Sequence, residues 1–290
     1  MGRSIRAIDL NGPFLGTEAV RAGVLTSGQL RGPAVRRLFQ DVYVPAGIPD
    51  SHELRCAAAG LVLPPEAVIT GRSAATLRGV TLARAKDPVE LVVPETVRIF
   101  RRAGFDIRRT EQRADEAEPW GRIGLATPLR MSLDLLLDRT LPDAVADLDA
   151  VLRAGLVDRA ALRGRLSQRR DRGIVRARQA EQLADPRAES PPESRMRVWL
   201  VLDGLSPVPQ YWIEESRGRL ARADLAFPEQ QVAVEYDGSW REGELWALNR
   251  DRERLNRVQA AGWEVVFVTA PLLAHPSRMI RTVRAALDRH

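Results

Sequence analysis

Hydrophobic positions along the chain switch between two spacings, and the switches outline the elements. Residues 17–31 carry short apolar groups behind Thr17 and behind Thr26 or Ser27, which predicts two short capped helices. RRLFQDVYVPAG follows as a small hairpin with Phe39, Val42 and Val44 as its apolar positions. Two short helices followed by a ribbon form a winged-helix-like pattern. Ser51 is placed to cap a helix over HELRCAAAGLVL. AVITG (67–71), VELVVP (89–94), FDIRRT (105–110) and RIGLAT (122–127) predict strands, with a helix over RSAATLRG (72–79). From Pro128 the spacing turns helical, with Leu133, Leu136, Leu137 and Leu141 recurring at helical intervals.

The last hundred residues predict helix, three strands, helix, strand, helix. The first helix covers 191–204, with Pro191 and Pro192 at its start, and VPQYWIEE (208–215) is a strand. GRLARADLAFPEQQVAVEYDG contains two strands around Pro228–Glu229. An amphipathic helix covers 244–262 and stops at Gly262. WEVVFVTA is a continuous apolar strand, and SRMIRTVRAALDR is the closing helix.

Acids interrupt this otherwise apolar pattern. Alternation along a strand puts Glu235 and Asp237 on one face. A two-residue loop at Pro228–Glu229 sets Ala233 opposite Asp224, which puts Asp224 on the face of Glu235, one diagonal step of about 7–8 Å away. Glu193 shares a helical stripe with Met196 and Leu200 that is expected to face the sheet. Converging carboxylates need protons or a cation, and oxygen ligands of this kind suit Mg²⁺ or Mn²⁺. Simpler readings exist: Asp237 before Gly238 fits a turn, and a strand glutamate fits an ion pair, with Arg222 nearby.

Composition narrows the classes. With 290 residues and 44% hydrophobic content the chain has room for two domains with real cores. Cys56 is the single cysteine, which excludes an intrachain disulfide and a cysteine-based zinc finger. The first residues lack the apolar core of a signal peptide, and no apolar run approaches the roughly 20 residues that span a bilayer, so a soluble cytoplasmic protein without a membrane partner is expected. The net charge of +6 favours a polyanionic partner. Lys86 is the one lysine; every other basic side chain is arginine, which suits phosphate but also fits a GC-rich coding sequence.

The first half resembles the abortive-infection type IV antitoxin family. AVRAGVLTSGQLRG…VYVPAG, VITGRSAATLRGV and GLATPLRMSLDLLL carry the resemblance, over roughly residues 15–165. It implies a DNA-binding winged-helix module over 1–50 and an α+β antitoxin-like region over 51–170, with a cognate toxin as a possible partner. Arg31, Arg36 and Arg37 cluster where a recognition element is expected. ADPRAESPPES brings three prolines, so the boundary is expected within a linker or helix over 171–190.

Residues 190–275 resemble the restriction-endonuclease-like superfamily, with the PD-(D/E)XK motif, and within it the domain related to very-short-patch repair endonucleases, which implies an endonuclease-like domain over 191–290. RADLAFP, VAVEYDG and DRERLNRVQAAGWEVVFVT carry this resemblance. It implies an α/β domain with a mixed sheet flanked by helices, and a Mg²⁺-dependent endonuclease acting on DNA. By resemblance, Asp224, Glu235 and the carbonyl of Tyr236 are metal ligands, Asp237 replaces the usual lysine, and Glu193 is the helical acid. The sequence departs from its relatives at Arg241, where a histidine is usual; arginine cannot act as a general base. Trp240, Arg241, Arg250 and Arg252 mix aromatic and basic groups suited to nucleic acid, and Trp246 and Arg254 extend that mixture. The alternative reading is a regulator or antitoxin with a degenerate nuclease fold.

Overall fold

In the computed structural model, residues 11–99, 102–170, 172–215, 218–238 and 245–290 are described, with 245–252 described by backbone alone. The chain is α+β, with mixed sheets flanked by helices, and divides into two compact units at Leu135/Leu136.

The first unit opens with β1 (Phe14–Leu15) and α1 (Gly16–Arg21), then β2 (Val35–Phe39) and β3 (Val42–Pro45), forming a sheet in the order β1-β3-β2. The second short helix expected here is a single 3-10 turn over Gln29–Arg31. Thr26 still caps it: Thr26 Oγ1 accepts from Gln29 N at 3.2 Å, and Gln29 Oε1 accepts from Thr26 N at 2.7 Å. Gly28 and Gly32 bracket the turn, which disfavours a longer helix. Thr17 lies inside α1, and its hydroxyl donates to Asp41 Oδ2 at 2.6 Å instead of capping.

Next come α2 (His52–Ala59), β4 (Val68–Ile69), α3 (Gly71–Leu77), β5 (Val89–Val93), β6 (Phe105–Arg109), β7 (Ala117–Trp120) and β8 (Ile123–Ala126). The five strands run in the order β6-β5-β4-β8-β7. Ser51 Oγ caps α2 by accepting from Leu54 N at 3.1 Å. A buried polar network ties this unit together. Arg130 donates to Glu116 and to Asp134, while Asp134 also accepts from Thr70 and Arg108.

α4 (Pro128–Leu137) spans the division between units. The second unit continues with α5 (Leu141–Arg153), α6 (Arg159–Gln168), α7 (Ile174–Leu183) and α8 (Pro191–Leu202). α5 packs against both α7 and α8. Buried Asp149 on α5 accepts from Ser194 Oγ at 2.7 Å, Arg197 Nη2 at 2.8 Å and Asp185 N at 2.6 Å. Residues 171–190 thus contain a helix built into this unit.

β9 (Val208–Glu215), β10 (Gly218–Phe227), β11 (Val232–Asp237), α9 (Leu245–Ala260), β12 (Glu264–Thr269), α10 (Ala270–Leu273) and α11 (Pro276–Leu287) complete the chain. The sheet order is β12-β11-β10-β9, with β9, β10 and β11 antiparallel and β12 parallel to β11. Met196 and Leu200 of α8 and Met279 and Val283 of α11 pack with Leu225, Phe227, Val232 and Val234. Val258 of α9 and Trp263 pack with Ala226 and Ala233 in a second cluster. Gly262, at φ +85°, follows the end of α9, as its sequence position predicts. Trp212, on the outermost strand β9, is 40% exposed, with Arg219 and Arg222 over its ring at 4.8 and 5.7 Å.

Candidate functional site

The β10–β11 hairpin positions the acids. Its ladder pairs Phe227 with Val232, Ala226 with Ala233 and Leu225 with Val234, so four residues, Pro228 to Gln231, form the loop. The expected two-residue loop is corrected. A shift of two residues preserves which face each side chain takes, and it sets Asp224 across from Glu235 instead of diagonal to it. Past Leu225–Val234 the two strands are joined by a side chain: Asp224 Oδ2 accepts from Tyr236 N at 2.8 Å.

Asp224 is half-buried, and among the described residues it forms no ion pair. Burial pushes its carboxyl up to about 6, the Tyr236 N–H pulls the other way, and the charges of Glu193, Glu235 and Glu189 raise it further. Asp224 and Glu235 thus lie on one face of the hairpin, as strand alternation predicts.

Glu235 is buried, at 9% exposed, and both its oxygens are held by Arg254 of α9, at 2.9 and 3.0 Å. The fork is bidentate, a strong and directional arrangement. Arg254 is held well into its charged form by the hydrogen bonds to Glu235 despite partial burial. Arg222, the ion-pair partner considered from sequence, instead pairs with Glu189 at 2.7 Å.

Glu193 faces the sheet, as its stripe with Met196 and Leu200 predicts. Its carboxylate accepts from Ser190 Oγ at 2.6 Å, Glu189 N at 2.9 Å and Gln210 Nε2 at 2.7 Å. Ser190-x-x-Glu193 is a capping-box spacing, a signal in the sequence that accounts for this glutamate without catalysis. Gln210 carries no sequence signal at all. It lies in β9 with φ +53°, a conformation uncommon for a side-chain-bearing residue. Asp237 ends β11 with its side chain exposed, and Tyr236 packs against the α8–α11 core.

A cation can be tested against this donor set. Asp224 supplies a carboxylate with one oxygen unbonded among the described residues, but Glu235 offers none until Arg254 releases it. Among the described residues no group of three or more His, Cys, Asp or Glu is arranged to hold a metal. The residues fit a cation in chemical type and in part in geometry. A cavity of about 610 Å³ in this unit is lined by Pro228, Glu229, Gln230 and the end of α11, not by these acids.

Of the arginines expected to meet nucleic acid, Arg31 and Arg37 are exposed. Arg36 donates to Asp50 Oδ1 at 3.2 Å and to Ile48 O at 3.0 Å. Trp240 and Arg241 lie outside the described residues, as do the side chains of Trp246, Arg250 and Arg252. Cys56 is buried, and burial pushes its thiol up to about 12, so it is inert as a nucleophile. Among the described residues no helix is long and apolar enough to cross a membrane.

Two proteins of Mycobacterium tuberculosis are similar to the chain. "Uncharacterized protein Rv2248" of strain H37Rv and "Uncharacterized protein MT2308" of strain CDC 1551 are each 33% identical over 196 residues, covering 66% of this chain and 68% of the relative. No protein-family model matches. Among solved structures, the RV2827C protein of the same species aligns with a TM-score of 0.40 at 14% identity, over 71% of this chain and 85% of that one.

Proposed function

The chain belongs to the family of these two mycobacterial proteins, and from its own strand acids we propose that the second unit is a restriction-endonuclease-like domain acting on DNA. One observation carries the reading: Asp224 fills the end of the β10–β11 ladder with its carboxyl raised to about 6, beside Glu193, Glu235 and Glu189, and without an ion pair among the described residues. Asp224 in that state has no counterion of its own, and a divalent cation shared with Glu235 would supply one once Arg254 releases that carboxylate. Asp224 and Glu235 would hold such an ion, Mg²⁺ or Mn²⁺, whose chemistry there would be polarisation of a phosphoryl oxygen and activation of water. The chain's residues do the positioning. The Tyr236 N–H fixes one oxygen of Asp224 and leaves the other for a ligand; the Tyr236 carbonyl is the candidate third ligand. Glu193 and Gln210 brace the far side through their 2.7 Å hydrogen bond. Arg31 and Arg37 of the winged-helix-like start contribute phosphate contacts.

A supercoiled plasmid incubated with the full chain and Mg²⁺ or Mn²⁺ tests the reading. Nicking is expected, and Asp224→Ala or EDTA is expected to lower it by at least about a hundredfold, the scale typical of losing a group that stabilises a transition state. Nicking that survives in Asp224→Ala sinks the assignment.

A second reading rests on the Arg254–Glu235 fork. An arginine that already neutralises Glu235 suits a binding-only domain, a regulator or antitoxin that holds operator DNA or a cognate toxin without cleaving. Retardation of its promoter DNA, with no nicking under any divalent ion even in Arg254→Gln, favours this reading over the first.

A further inference from the structure

The first unit holds a cavity of about 650 Å³ among β2, α2 and the turn before β6. Three guanidinium groups from three separate segments line it: Arg37, Arg55 and Arg102. No acid is among the described residues that line it. Gathering like charges in a concavity raises the local potential, and an anion relieves it.

The wall is built to hold these charges in place. Arg55 lies over the Phe39 ring at 4.8 Å, and that ring packs on Phe105 at 4.3 Å. Arg55 Nε is buried with no hydrogen-bond partner among the described residues, a donor that costs free energy until an acceptor reaches it. Arg102 is steadied by donating to Val62 O at 3.2 Å. Gly104, at φ +89°, brings the main chain against this wall. A Cβ there would lie 2.7 Å from the Phe39 ring and 3.1 Å from Arg55 Nη2, so glycine is what lets the arginine sit where it does.

We propose that this cavity binds the phosphate of a nucleotide. Guanidinium forks match phosphate oxygens in pairs. Its volume falls within the roughly 300–1,000 Å³ of small-ligand sites. The half-buried Phe105 supplies an apolar wall, and the Gln40 amide a polar one. The phosphate comes either from a free nucleotide or from a nucleic-acid strand, and the chemistry is the same. The site shares only Arg37 with the nuclease reading and does not depend on it.

Titration calorimetry of the full chain with ADP, and fluorescence anisotropy with a labelled single-stranded oligonucleotide, test it. Arg55→Gln and Arg102→Gln are each expected to weaken binding by about tenfold or more, the loss of one charge-assisted contact. Arg122→Gln, an exposed arginine in the β7–β8 turn, is the control for net charge and is expected to stay within about twofold. ADP that binds and displaces the oligonucleotide identifies a free-nucleotide site; binding of the oligonucleotide alone identifies a strand. Arg102→Gln decides the matter if Arg55→Gln melts early, because Arg102 is exposed. No binding of either probe, or an equal loss in Arg122→Gln, overturns the proposal.

Discussion

Asp224 is a single residue whose protonation reaches the stability of its whole unit. Its carboxyl titrates near 6 in the folded chain, against an ordinary 3.8. Between these values the folded state binds more protons than the unfolded one, so stability falls as pH rises from about 4 to about 6. The upper bound is about 3 kcal/mol, and residual solvent contact reduces it to about 1–2. Asp224→Asn keeps the shape and removes the charge. Urea denaturation at pH 4.5 and 7.5 is expected to show a smaller pH difference in the variant, with the variant the more stable at 7.5. An unchanged difference means that the pH dependence arises elsewhere.

At the scale of elements, the joint between β11 and α9 is the Glu235–Arg254 fork. Arg254→Gln strands a mostly buried carboxylate, at a cost of about 1–3 kcal/mol. If the acids take a cation, millimolar Mn²⁺ is expected to restore much of that loss in Arg254→Gln and to stabilise the wild type less. A thermal melt with and without Mn²⁺ reads both, and no recovery in the variant counts against a cation at Asp224 and Glu235. The fork shows where sequence reasoning stops. Asp224 and Glu235 sharing a face follows from alternation alone, and it survives an error of two residues in the loop because parity does. The partner of Glu235 depends on where α9 packs, a long-range fact that no local pattern carries. β7 escaped the pattern for a local reason: Glu118 and Pro119 interrupt it, and an edge strand tolerates them. Glu193 shares a helical stripe with Met196 and Leu200, and the capping serine three residues earlier gives it a structural duty as well.

For the molecule as a whole, the division at Leu135/Leu136 has a practical meaning. The sequence favours cutting before 191, where the prolines gather. The structure buries α8 against α5 and joins them through Asp149, Ser194 and Arg197, so the endonuclease-like sheet and α5–α8 form one unit. A chain beginning at Leu136, which leaves the buried Arg130–Asp134 network with the first unit, is expected to melt cooperatively. A chain beginning at Pro191 loses the partner of the buried Arg197 guanidinium and is expected to show no cooperative transition by calorimetry. Cooperative melting of the shorter fragment refutes the assignment of α5–α7 to this unit. The open sheet of that unit also has outermost strands, and an outermost strand invites a stranger to pair with it. On β9 the indole of Trp212 is roofed by two guanidinium groups, which keeps a sticky surface wet and charged. Strip away both arginines, and the natural fate of the protein at high concentration is clumping through that rim.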